Sequence, residues 1–226
     1  MGDQGGQVQF QGVLFDFDGT LADTLPLSFF AFKEVFRRYA GKEYTNPELV
    51  SLFGPTEDGI IAGVVQDRAL STEACSEYYR LYDEYHEDML PLAANIQTML
   101  DNLARLRIPM GIITGKSRRS LDISLDKLGM RHYFDVQLAG DELVRPKPDR
   151  EGIDRAMAAL GIKPEATLFI GDSNADMVAG RAAGAWTGGA HWFEEVQNLT
   201  LAPEPDFLFR SPVEVVELVS KNARGG

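Results

Sequence analysis

Hydrophobic positions change rhythm twice along the chain. Near the start, Val13-Leu14-Phe15 is a continuous apolar run that stops at Asp16-Phe17-Asp18-Gly19-Thr20, as expected of a buried strand ending in a polar tip. From about Leu25 to Leu90 no segment alternates like a strand. Leu25 to Ala40 carries apolar residues at helical spacing, with Gly41 as its stop. Asn46-Pro47-Glu48 reads as an N-cap, a first-turn proline and a dipole-complementing acid, with Gly54 ending that short helix. Thr56 or its neighbours open the next helix. Ser71 opens another that runs to about Met89, and Pro91 breaks the pattern.

From Asn95 onward short apolar runs alternate with helical ones. Helices are predicted over Asn95–Leu106, Ser117–Leu128, Asp149–Leu160 and Ala175–Ala183, the last three stopped by Gly129, Gly161 and Gly184. Between them, Pro109–Thr114, Phe134–Leu138, Thr167–Ile170 and Ala185–Thr187 read as strands. Asp206–Phe209 is a candidate final strand, and Ser211-Pro212-Val213-Glu214 a capping box opening the last helix. This order predicts an α/β fold, a doubly wound parallel sheet covered on both faces, with a helical domain inserted after the first strand. The expected division is a core of residues 10–23 and 92–226 and a helical cap of residues 24–91.

In such sheets ligands sit outside the carboxyl ends of the strands, where strand order reverses. Asp16-x-Asp18, Thr114-Gly115 and Gly171-Asp172 each fall where an apolar strand stops, so three polar tips converge on one edge. Alternation lets Asp16 and Asp18 point the same way, and two such carboxylates repel unless a cation intervenes. Asp16 is the candidate nucleophile and Asp18 the candidate acid and base. Thr114 offers a hydroxyl and Gly115 an open backbone N–H for phosphoryl oxygens. Asp172 and Asp176, with Asp16, make an oxygen-rich site suited to Mg²⁺, although Asp176 is equally placed to complement a helix N-terminus. Lys147, within Arg145-Pro146-Lys147-Pro148, offers an ammonium to balance these charges, with Arg145 as a weaker rival.

Composition narrows the partners. A formal charge of −12 without an offsetting basic stripe argues against nucleic acid. The single Cys75 excludes an internal disulfide and a cysteine zinc cluster. No apolar stretch of about 18 residues occurs, so no membrane span is expected. The first nine residues lack the basic and apolar regions of a signal peptide, and a cytoplasmic protein is the expectation. His86, His132 and His191 show no metal-ligand spacing.

Asp-x-Asp-Gly-Thr, Thr-Gly, Lys-Pro and Gly-Asp-Ser-x-x-Asp, in that order from Val13 to about Gly189, resemble the haloacid-dehalogenase superfamily, specifically its phosphatases with a helical cap. The resemblance implies Asp16 as nucleophile and Asp18 as general acid and base. It places the Asp18 backbone carbonyl beside Asp16 and Asp172 on Mg²⁺ with Asp176 supporting, and Thr114 and Lys147 on the phosphoryl group. Dehalogenases of the superfamily lack the second aspartate, because a departing halide needs no proton, so Asp18 favours a phosphatase. The phosphoglycolate-phosphatase-like and pyrophosphatase-like branches are nearest. Phe53-Gly54-Pro55-Thr56-Glu57 is similar to their cap loop, which makes Thr56 and Glu57 candidate substrate contacts, with solvent exposure the ordinary alternative for Glu57. Two departures stand out. Arg150 replaces the usual second proline of the lysine motif, and Ser28 replaces the His of the sugar phosphomutases.

The expectation is thus a Mg²⁺-dependent phosphoric monoester hydrolase working through an aspartyl-phosphate on a small phosphorylated metabolite such as phosphoglycolate. Inorganic pyrophosphatase and sugar-phosphate phosphatase are the enzymatic alternatives, and a receiver-like module phosphorylated on Asp16 is a remote one. A monomer is the simple assumption, a homodimer the other.

Overall fold

The computed structural model describes residues 8–90, 93–194 and 196–223. Pro91, the expected end of the helical segment, lies outside them, as do residues 1–7. Strands form at Gly12–Phe15 (β1), Met110–Ile113 (β2), Val136–Leu138 (β3), Thr167–Gly171 (β4), Trp186–Ala190 (β5) and Phe207–Phe209 (β6). They make one parallel sheet in the order β3-β2-β1-β4-β5-β6. Strand order reverses between β1 and β4. Phe15 pairs with both Ile112 and Ile170, so three central strands stop at nearly one height on either side of that reversal.

Period-two alternation sorts β1 between the faces. Val13 and Phe15 join one apolar cluster, which takes in Ala94–Arg105 (α6), Arg118–Lys127 (α7) and Pro212–Ala223 (α10). Leu14 joins the other, with Glu151–Leu160 (α8) and Asn174–Ala183 (α9). Gly161 and Gly184 stop α8 and α9 with φ of 66° and 75°, the left-handed conformation expected of them.

Between β1 and α6 the chain forms only helices among the described residues: Leu25–Ala40 (α1), Asn46–Val50 (α2), Glu57–Val64 (α3), Arg68–Glu84 (α4) and His86–Met89 (α5). Phe32, Phe36 and Tyr78, all under 2% exposed, stack at the α1–α4 contact, with Phe32 and Tyr78 centroids 4.6 Å apart. A polar seam joins these helices to α7. Tyr82 Oη lies 2.9 Å and His86 Nε2 3.0 Å from Ser124 Oγ, and Tyr79 Oη donates to Ser117 Oγ at 3.0 Å.

Several boundaries differ from the sequence reading. Thr45, not Asn46, caps α2, because its hydroxyl and the Glu48 carboxylate satisfy each other's backbone N–H groups in a capping box. The same helix stops at Val50, before Gly54. The predicted Ser71–Met89 helix begins earlier, at Arg68 capped by Asp67, and breaks at Tyr85 into α4 and α5. β5 continues through Gly188 and Gly189 to Ala190, because both glycines pair with β4 and β6.

Candidate active site

The β1 tip is a tight turn. Thr20, Leu21 and Ala22 all donate backbone N–H groups to the Phe17 carbonyl, and Gly19 takes φ 74°. A Cβ on Gly19 would lie 2.3 Å from Asp172 Oδ2, so glycine is required both for the turn and for the close approach of β4. At the β4 tip a Cβ on Gly171 would lie 2.3 Å from Asp176 Cγ, which ties Asp176 to the strand end.

These turns gather three carboxylates. Oxygens of Asp16, Asp172 and Asp176 all lie within 4.8 Å of one another, and all three residues are buried. Lys147, 7% exposed, sets Nζ 2.8 Å from Asp16 Oδ1 and donates to Asp176 Oδ1 at 2.5 Å. Arg145, whose side chain is 68% exposed, turns outward to Asp149 and Glu151, which removes it as a rival. Asp176 Oδ2 accepts from the backbone N–H and hydroxyl of Ser173 at the start of α9. Asp176 therefore lies in the acid cluster and also closes the capping box of α9.

Burial pushes the Asp16 carboxyl up to about 7, with Lys147 opposing and Asp176 and Asp18 adding to the rise. Asp172 is driven above the carboxylate range by burial, then by Asp16 and Asp176. Burial works against the Lys147 ammonium, but Asp16 and Asp176 outweigh it and hold the proton more tightly than usual. Three buried carboxylates against one ammonium have more acid oxygens than positive charge to answer them, which adds to their raised proton affinity, and Asp16 Oδ1 accepts no aligned hydrogen bond despite its ion contact. A hard divalent cation fits that donor set.

A cavity opens above these tips. Asp16, Asp18, Thr114, Gly115 and Lys147 line its sheet side, and Glu57 its helical side. Thr56 does not reach it. Its Cγ2 abuts Gly140 instead, 3.0 Å from where a Cβ there would sit. Glu57 corrects the exposure foreseen for it: it is 5% exposed, and its Oε2 accepts from the Ser117 N–H at 2.8 Å.

Four residues that sequence reasoning did not assign stand close to these groups or to the turn that carries them. Lys116, 4% exposed, places Nζ 3.1 Å from Asp18 Oδ1, 3.5 Å from Glu57 Oε1 and 4.5 Å from the Tyr82 ring centre. Burial opposes its charge, but Asp18, Tyr82 and Glu57 hold it well above its ordinary value. Its place two residues after Thr114 was the available signal. Gln197 donates its backbone N–H to Asp172 Oδ2 at 2.8 Å and its side-chain Nε2 to Oδ1 at 3.2 Å. Nothing in the local sequence marks it. Thr24 donates its hydroxyl to Asp18 Oδ1, and the Trp192 indole N–H donates to the Thr20 carbonyl at 2.9 Å.

The arrangement has relatives. The haloacid dehalogenase-like hydrolase family model matches residues 13–190. The pyrophosphatase PpaX of Anoxybacillus flavithermus is 28% identical over 215 residues, covering 94% of this chain and 98% of that protein. PpaX of Bacillus velezensis is 27% identical over 210 residues, covering 91% and 94%. In fold, the chain is similar to a predicted phosphoglycolate phosphatase from Haemophilus somnus, with a TM-score of 0.83, 21% identity and 94% and 99% coverage. It is also similar to CbbY from Rhodobacter sphaeroides in complex with phosphate, with a TM-score of 0.79, 22% identity and 92% and 96% coverage. The matched span runs from the first residues of β1 to the last of β5 and so includes every polar tip of the sheet edge. The chain belongs to the haloacid dehalogenase-like hydrolases.

Proposed function

We propose that the protein is a magnesium-dependent phosphatase that hydrolyses a small phosphate monoester through an aspartyl-phosphate on Asp16. The observation that carries this reading is Asp16 itself, a buried carboxylate at the strand-order reversal, set against Lys147 and within 4.8 Å of two further carboxylates. Asp16 and Asp172, with the Asp18 backbone carbonyl, would hold Mg²⁺. Asp176, whose oxygens already serve Lys147 and Ser173, supports the site and orients Lys147. When bound, Mg²⁺ supplies positive charge that offsets the carboxylates and the phosphoryl oxygens.

Asp16 attacks phosphorus while Asp18 gives its proton to the departing alkoxide oxygen, so the P–O bond to the alcohol breaks as the bond to Asp16 forms. Asp18 then takes a proton from water, the water oxygen attacks phosphorus, and Asp16 leaves as a free carboxylate. Lys147, the Thr114 hydroxyl and the Gly115 N–H bind phosphoryl oxygens and are in place before charge develops. Residues 24–91 serve as a cap that excludes water from the first step, and its Phe32, Phe53 and Ile60 present an apolar wall to the substrate. The substrate is a small soluble phosphorylated metabolite in the cytoplasm. Phosphoglycolate and pyrophosphate are the first compounds to test, the second because the PpaX relatives are named pyrophosphatases.

Phosphate release with Mg²⁺, with chelator and from Asp16→Asn tests the reading. Release by the parent protein, lost with chelator and in the variant, is expected. A long-lived phosphorylated Asp16 without turnover would overturn it.

A further inference from the structure

The cavity is charged unevenly. At the sheet edge Lys147 faces excess carboxylate. On the helical side the lining is Leu25, Phe32, Phe53, Pro55 and Ile60, with Ser28, Glu57, Lys116 and the Tyr78 hydroxyl the polar groups among the described residues. Lys116 is the one cation there, and it is fully engaged: Asp18 on one side, Glu57 on the other, the Tyr82 face beneath. Glu57 is equally committed, to Lys116 and to the Ser117 N–H.

A leaving group that carried its own carboxylate or phosphate would bring a second anion against this wall. It would find no cation without a partner, and to recruit Lys116 it would have to strip Glu57 of its counter-charge in a buried place. Leaving a buried charge unpaired is among the costliest rearrangements open to a folded protein. An uncharged alcohol meets no such penalty. Its carbons lie on Phe32, Phe53 and Ile60, and a hydroxyl meets the Ser28 hydroxyl, so neither member of the ion pair gives up its partner.

We propose that the Glu57–Lys116 pair is the specificity determinant of the site, excluding a second anionic group so that the substrate is the monophosphate of an uncharged, partly apolar hydroxyl compound. The proposal rests on the phosphatase reading above and narrows it away from both phosphoglycolate and pyrophosphate. Glu57 is the instructive member, since its removal leaves Lys116 in place but frees half of its charge.

The test compares kcat/KM for phosphoglycolate with that for 2-hydroxyethyl phosphate, its neutral counterpart with –CH₂OH in place of the carboxylate, and adds pyrophosphate. Wild-type protein should prefer the neutral ester by at least about tenfold over either anion, since one misplaced charge readily outweighs that ratio. Glu57→Gln should shift the ratio toward phosphoglycolate by about tenfold or more. Equal rates, or a preference for either anion, in the wild type would overturn the proposal and leave the phosphatase reading standing. So would a preference unchanged in a folded Glu57→Gln protein. Should that variant fail to fold, the wild-type ratio decides alone. Absence of phosphate release from all three compounds would instead remove the phosphatase reading and the proposal with it.

Discussion

Two lysines line one cavity and live in opposite surroundings. Lys147 sits among Asp16 and Asp176, with Asp172 close by, so its half of the cavity keeps an excess of negative charge. Lys116 sits between Asp18 and Glu57 above an aromatic face, in a half whose one ammonium is already claimed by two carboxylates. On the reading proposed above, the first half receives a divalent cation and a phosphoryl group, and the second admits a leaving group only if it brings no charge. Buried ion pairs stabilise little on balance, and their use is often to specify. Here one cavity holds, a few side chains apart, a half left incomplete for want of a second cation and a half complete in that its one ammonium is already paired.

The largest expected effect falls on the incomplete half. Asp16→Asn removes the proposed nucleophile and should lower kcat by about 10⁴-fold or more, with no phosphate trapped on the protein, as single-turnover assays would show. Lys147→Met leaves the three carboxylates without their ammonium. It should cost about 10²- to 10³-fold in kcat with little change in KM, a split expected when the lost contact matters most at the transition state. A rise in KM alone would place Lys147 in ground-state binding and blur the contrast with Lys116.

The complete half is tested through its polar seam. Burial, then Lys116 and Lys127, lowers the His86 imidazole to about 4, against the pull of Asp83 and Glu87. The unfolded chain therefore binds that proton first. The stability gained by keeping the ring neutral is fully present above pH ~6.5 and is lost as pH falls through ~4. The loss should approach about 3 kcal/mol, since a tenfold change in proton affinity is worth ~1.4 kcal/mol. Urea titrations at pH 7 and pH 4.5 should show it, and His86→Gln should flatten the slope. An unaltered slope would mean that other groups govern the acid limb. Smallest is the effect of Gln197→Ala, which keeps the backbone donor to Asp172 and removes the side-chain one. Magnesium affinity measured by calorimetry should fall about tenfold. Unchanged affinity would show that the backbone contact alone orients Asp172.

The sheet edge was legible because its signals are local. A strand that stops at Asp16-x-Asp18, a hydroxyl at Thr114 and a carboxylate at Asp172 each announce themselves within a few residues, and the parallel register brings them level. Glycine stops such as Gly41 and Gly161 read equally well, since their left-handed conformation is a property of one residue. The Thr45 cap was readable from its spacing to Glu48, but Asn46 is as good a cap by type and drew the boundary one residue late. The helical wall was legible only in part: the cap-loop resemblance picked out Glu57, but nothing local marked the charge it meets. Glu57 looks like a solvated first-turn acid until Ser117, sixty residues later in the chain, supplies the N–H that buries it. Lys116 looks like a surface lysine until Tyr82 closes beneath it. Charges that neutralise one another across such distances leave no periodicity or motif in the sequence, whereas charges collected at strand ends do.

The indole of Trp192 has a consequence of an optical kind. It is hydrogen-bonded to the Thr20 carbonyl, inside the turn that carries Asp18, while Trp186 bonds to Glu165 at the start of β5. These are the chain's two tryptophans. Replacing Trp186 with phenylalanine would leave a single tryptophan, tied to the turn that follows Asp16 and excitable apart from the tyrosines, so that a change in that turn acquires an emission signal without a label.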